Sequence, residues 1–123
     1  MSRDSGQATV ELALCLPFVA LLIAAIVEVG ILGSEHIRVW HATREAARVA
    51  AVENDHDEIR RAAGSSGLEG LEIEISPEIA ERRYGAPVTV AVRHRHRASV
   101  PLVGRLFEGV HLSAEATMRI EQP

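Results

Sequence analysis

The sequence predicts an α+β fold: a long amino-terminal membrane-spanning helix continues into an amphipathic helix, which packs on a small antiparallel sheet of about three strands. Three observations predict it. From Leu12 to Val27 no residue is charged. The segment Ala8 to Gly33 is long enough to cross a ~30 Å hydrocarbon core as a helix rising 1.5 Å per residue. From Ser34 to about Glu53 there is neither Pro nor Gly, and strong helix formers such as Ala and Arg dominate. The remainder holds segments that alternate apolar and polar residues, as half-buried strands do.

The apolar run begins with an anomaly. Glu11 stands where lipid begins, although an acid at the centre of a span costs roughly 2.5–3.5 kcal/mol on insertion scales, so an acid there is a functional hypothesis. It lies one helical turn beyond Gln7. Pro17 removes one backbone donor, which membrane helices tolerate. A cleaved secretory signal fits poorly: the leading segment holds only Arg3, offset by Asp4, and Ile23-Ala24-Ala25 puts Ile where a small residue is wanted. A buried core helix of a soluble protein also fits poorly with so long a run. Glu28 is the second acid. The span length favours a place near the far interface, solvated there; the alternative is a partner helix or a basic group in an assembly. Arg38, Arg44 and Arg48 follow the span, so the positive-inside rule alone puts the carboxyl side in the cytoplasm.

Beyond the span, Arg38, His41, Glu45 and Arg48 recur at helical steps as a polar face, opposed by a stripe of Ile37, Trp40, Ala47 and Ala51. Ala42, Ala46 and Ala50 make a ridge of small residues that allows close backbone approach. Such a helix most often covers its own sheet; the sharper alternative is bundling with other subunits. Asn54-Asp55 ends it, and Asp55 caps a short helix from His56 to Ala63, which Gly64-Ser65-Ser66-Gly67 terminates. Strands are expected at Leu71–Ile75, Val88–Val92 and Leu112–Ile120, with Arg93 able to face Glu72, Glu74 or Glu115 across the sheet. Pro101–Phe107 is an apolar loop that can pack on the sheet edge, lean on the membrane surface or meet a partner.

Length and composition exclude much chemistry. A chain of 123 residues supports one modest domain, with roughly 90 residues outside the membrane. Net charge is −4, from 13 basic and 17 acidic residues, so no global basic field attracts nucleic acid. Trp40, Phe18, Phe107 and Tyr84 are the whole aromatic inventory, too few for stacking platforms. Cys15 is the one cysteine; in the membrane it packs as a small hydrophobe, and it excludes an intrachain disulfide. His94 and His96 share a strand face at a usable metal-ligand spacing, with His111 as the one nearby third candidate. That set is weak without a fixed third partner, and a solvated basic strand end around Arg93–Arg97 is the better account. No nucleophile motif or phosphate loop occurs, so no catalytic residue, metal or cofactor is expected.

Gly6-Gln7-Ala8-Thr9-Val10-Glu11-Leu12-Ala13-Leu14, with Leu16-Pro17 inside the run, resembles the amino terminus of TadE-like pilin proteins, of the tight-adherence branch of the type IV pilus and secretion machinery in bacteria. Ala42 to Ala51 resembles the alanine- and arginine-rich segment that follows the span in that family, and Leu112–Arg119 resembles its closing strand. Residues 54 to 87 carry no resemblance. The resemblance implies a pilin-like fold with a leader over residues 1–6, a transmembrane helix over 7–33 and an extracytoplasmic helix-plus-sheet domain over 34–123. A prepilin peptidase would cut between Gly6 and Gln7, and Glu11 would take the place of the glutamate needed for subunit docking. Leu12 departs from the aromatic residue often found after that glutamate, and the leader holds one basic residue. The implied function is a minor pilin-like (pseudopilin) structural subunit. Its implied partners are the membrane, the peptidase, other pilin subunits and the assembly platform, with no enzymatic activity and no nucleic-acid contact. The alternative is a single-pass membrane interaction protein with a cytoplasmic carboxyl-terminal domain, outside any filament.

Overall fold

The computed structural model describes the backbone of residues 3–121 and the side chains of residues 6–121. The side chains of Arg3 and Asp4, on which the reading of the leader rested, lie outside the described residues. Helix α1 (Arg3–Val52) is unbroken for 50 residues, passing through Pro17. At 1.5 Å per residue it is about 75 Å long. Its amino-terminal part stands free of the rest of the chain: no share of its most apolar stretch is buried, and Val10 to Ile23 present large apolar side chains outward. This is the only helix among the described residues long and apolar enough to cross a membrane.

The carboxyl-terminal part of α1 covers a sheet. Strands β1 (Glu72–Ser76), β2 (Pro87–Arg95) and β3 (His111–Arg119) pair antiparallel in the order β1-β2-β3. Val88, Val90 and Val92 alternate onto one face and are fully buried. Across from them stand Met118, Ala116 and Ala114 of β3, while Ile75 and Ile73 of β1 face Val90 and Val92. The opposite face is polar: the Thr89 and Thr117 hydroxyls meet at 2.8 Å. Arg93 of β2 finds one of the expected acids, but loosely: Arg93 and Glu74 are 3.9 Å apart and both exposed, a contact of little energetic weight.

Ala42, Ala46 and Ala50 are buried in the same core as the three valines. The ridge of small residues therefore lets the sheet of this same chain approach the helix backbone. The stripe expected through Ile37 and Trp40 is not the buried one. Val39, Ala42, Thr43, Ala46, Ala47, Ala50 and Ala51 line the core, while Ile37 is 58% exposed and Trp40 38%. Trp40 sits at the margin, where its indole N–H donates to His36 Nε2 at 3.1 Å and the Arg44 guanidinium lies 5.7 Å from the ring centroid. Those polar partners make an outward position tolerable for a ring that hydrophobicity alone assigns to the core.

Asp55 caps α2 (His56–Gly64) as expected, accepting from the Asp57 N–H at 2.8 Å, and Ile59 and Ala63 bury the helix against α1. No basic residue occupies the last turn of α1. Arg82 supplies one from a distant loop, donating to the Ala50 and Glu53 carbonyls at 3.4 and 3.2 Å, where the helix end is electronegative. The β2–β3 connection folds back along α1 through a 3-10 turn, Val103–Leu106, with Val103 and Gly104 buried. A Cβ on Gly104 would lie 2.8 Å from that of Ala98, so only glycine lets the two backbone segments come this close.

A buried glutamate and histidine join the helix to the head

β2 runs antiparallel to its neighbours with His94 on the same face as Val88, Val90 and Val92, the face that meets α1. One residue past the strand, His96 keeps the ladder going: its N–H donates to Val110 O at 2.9 Å. This fixes the ring against α1 at the height of Glu28 and Glu35. Those two acids are seven residues apart, close to two turns, and so share one side of the helix.

The imidazole bridges them. His96 Nε2 lies 2.6 Å from Glu28 Oε1, and Nδ1 lies 2.7 Å from Glu35 Oε2. Glu28 also accepts from two backbone N–H groups of the loop, Ser99 at 3.1 Å and Val100 at 2.9 Å. The side chains of Glu28 and His96 are both fully buried. Carboxylates accept but do not donate, so acceptors on both ring nitrogens call for an imidazolium. Burial works against that charge, but the hydrogen bonds with Glu35 and Glu28 outweigh it and hold His96 above its ordinary value. His94 stands beside the pair, with Nε2 3.7 Å from Glu35 and a buried Nδ1 that has no hydrogen-bond partner.

Two sequence expectations are corrected here. Glu28 is not solvated at an interface; the chain itself brings an imidazolium and two amide donors to it, which removes the cost of an acid at the end of an apolar run. Arg93–Arg97 is not simply a solvated strand end, because His96 within it is buried. Glu35 escaped notice altogether. The available signal was its spacing from Glu28, together with a His-x-His at a strand end. No cluster of His, Cys, Asp and Glu suited to holding a metal ion occurs among the described residues.

The titration has a definite sign. A histidine whose folded value is raised adds stability that is full below its unfolded value, about 6.5, and is lost as pH climbs through the folded value. The thermal midpoint of the full chain in detergent micelles is therefore expected to fall as pH rises above neutrality. His96→Gln is expected to flatten that slope.

The second site is the free end of α1. Glu11 is exposed, and the Gln7 side-chain amide donates to its Oε1 at 3.1 Å, one turn earlier. From Gln7 to Val27 it is the only charged residue. At 1.5 Å per residue, Glu11 and Glu28 are about 26 Å apart along the helix, near the thickness of a hydrocarbon core. Cys15, between them, is exposed and free.

No curated protein and no solved structure matches the chain significantly. A family model does, the one described as TadE-like protein, over residues 6–48. It covers the free apolar helix and most of the part that packs on the sheet, and it stops before α2; the closing strand Leu112–Arg119 lies outside it. Residues 6–48 are thus a TadE-like segment, and the match associates this chain, in general terms, with the Tad pilus.

Proposed function

We propose that the chain is a minor pilin-like structural subunit, a pseudopilin, that takes part in assembling a tight-adherence pilus or a related secretion system. The observation that carries this is the largely exposed apolar stretch of α1 from Gln7 to Val27, whose one acid, Glu11, follows Gln7 by a single turn, in a TadE-like segment that begins at Gly6. A prepilin peptidase cuts between Gly6 and Gln7, so residues 1–6 are a leader and the span lies within 7–33. The cut gives Gln7 a free ammonium. In the uncut chain the Gln7 side-chain amide donates one hydrogen bond to Glu11. In an assembly, Glu11 pairs with the ammonium of a neighbouring subunit, and two charges that are each costly in lipid become tolerable together. Pairing of this kind favours one axial register between subunits. The helix-plus-sheet domain over 34–123 sits outside the cytoplasm, and the protein is a peptidase substrate rather than a catalyst.

One observation favours a rival. Arg38, Arg44 and Arg48 are exposed just beyond the span, and by charge count alone they place the head in the cytoplasm. A tag at the carboxyl terminus, probed on intact cells whose outer barrier has been permeabilised, separates the two. Accessibility from outside the cytoplasm is expected; protection until the inner membrane is breached supports the cytoplasmic interaction protein instead.

A further inference from the structure

The β2–β3 connection is tied to α1. The Ser99 and Val100 N–H groups bind Glu28, and the turn Val103–Leu106 packs on the same helix. Coverage of α1 does not stop at Glu28. Ala8, Ala13 and Ala20 are exposed, whereas Ala24 and Ala25 are half-buried, one turn further into the apolar run. Glu28, Ile31, Leu32 and Glu35 continue the covered stripe upward. With Ser99 and Val100 bound to Glu28, the connection lies beside the last turns of the apolar run.

At that level it turns large apolar side chains outward. Leu102 is 77% exposed and Leu106 82%. Leu102 also has a φ of 68°, a left-handed backbone conformation unusual for a side chain of this size. Val103 and Gly104 between them are buried and hold the turn against the helix, so the two leucines project from an anchored base. Arg105 is exposed in the same turn, beside Leu106. Two outward leucines with an adjacent guanidinium have the composition of an interfacial segment: apolar groups reach about 5–10 Å into the headgroup–acyl boundary and a long basic side chain snorkels to phosphate.

We propose that Pro101–Phe107 is a membrane-interface wedge, seating Leu102 and Leu106 among lipid acyl chains beside the span, with Arg105 at the phosphates. The occupant is the bilayer because the loop is continuous with the lipid-facing helix and tied to it through Glu28. The wedge gives the head a second contact with the membrane and so restrains its tilt and rotation about α1. It rests on α1 crossing the bilayer and is independent of incorporation into a filament.

Depth-dependent fluorescence quenching tests it in the full chain. Trp40→Phe removes the native tryptophan, and Leu106→Trp or Phe18→Trp then supplies a single reporter. The protein is placed in phosphatidylcholine–phosphatidylglycerol vesicles whose acyl chains are brominated either near the headgroup or near the chain end. Tryptophan at 106 is expected to emit blue-shifted light and to lose most intensity with the shallow bromines; tryptophan at 18 is expected to lose most with the deep ones. Quenching at 18 with water-like, unquenched emission at 106 overturns the wedge while leaving the span intact. Quenching at neither position overturns both. A blue shift at 106 that appears only as protein density in the vesicles rises, without bromine quenching, assigns the leucines to a protein contact and also overturns the wedge.

Discussion

Replacing His96 with leucine is expected to strip the head of about 3–5 kcal/mol, the usual consequence of leaving one member of a buried charged pair without its partner. Set against the 5–15 kcal/mol that holds a small domain together, this is a large fraction. The cause is Glu28, fully buried, which would keep the Ser99 and Val100 N–H groups but lose the imidazolium at 2.6 Å. Glu28→Leu combined with His96→Leu is expected to recover part of the loss, because no buried charge is then stranded. Glu35→Gln is expected to cost less than His96→Leu, since the Glu35 side chain is 18% exposed and water compensates it. Thermal unfolding of the full chain in micelles, followed by circular dichroism, reads all three. A His96→Leu variant that melts within about 0.5 kcal/mol of the parent, as ordinary surface changes do, would contradict the role assigned to this pair.

Glu11→Leu acts at the free end of α1 and on a different property. It makes the span more apolar, so membrane insertion is expected to be unchanged. The head is untouched, since Glu11 is exposed and accepts from the Gln7 amide one turn away. Incorporation is expected to drop at least tenfold: an ammonium left unpaired in apolar surroundings costs more than the ~1.4 kcal/mol that corresponds to that factor. Glu11→Asp, which keeps the charge on a shorter arm, is expected to fall between the two. Co-purification of the tagged subunit with pilus components, normalised to its membrane level, measures the effect. Co-purification equal to the parent would count against pairing through Glu11.

Local physics made most of the elements legible. Period-2 alternation found all three strands, because Val88, Val90 and Val92 need a dry face and only alternate positions reach it. Asp55 announced α2 by the capping chemistry it performs. The helix through Val52 was visible as a run without Pro or Gly, and its alanine ridge packs on the sheet of the same chain. What stayed hidden depended on residues far apart in sequence. Nothing near Glu28 announces His96, 68 positions away, and the reading of an interfacial acid followed from treating the span in isolation. Arg82 capping the far end of α1 is hidden for the same reason. The difference at Ile37 and Trp40 has another origin: hydrophobicity alone assigns the indole to the core, whereas its His36 and Arg44 partners hold it at the margin. At the amino terminus the relation was inverted. Gly6, Gln7 and Glu11 stand out in sequence by spacing and cost, while in the isolated chain Glu11 accepts from the Gln7 amide and its proposed partner belongs to another subunit.

Everything proposed for Glu11 depends on a free ammonium at Gln7, and the mass of the membrane-extracted protein reads that directly. In cells with an active prepilin peptidase, the mature amino terminus is expected at Gln7, with residues 1–6 removed. An intact amino terminus beginning before Gln7 in those cells would contradict processing and, with it, the pairing proposed for Glu11.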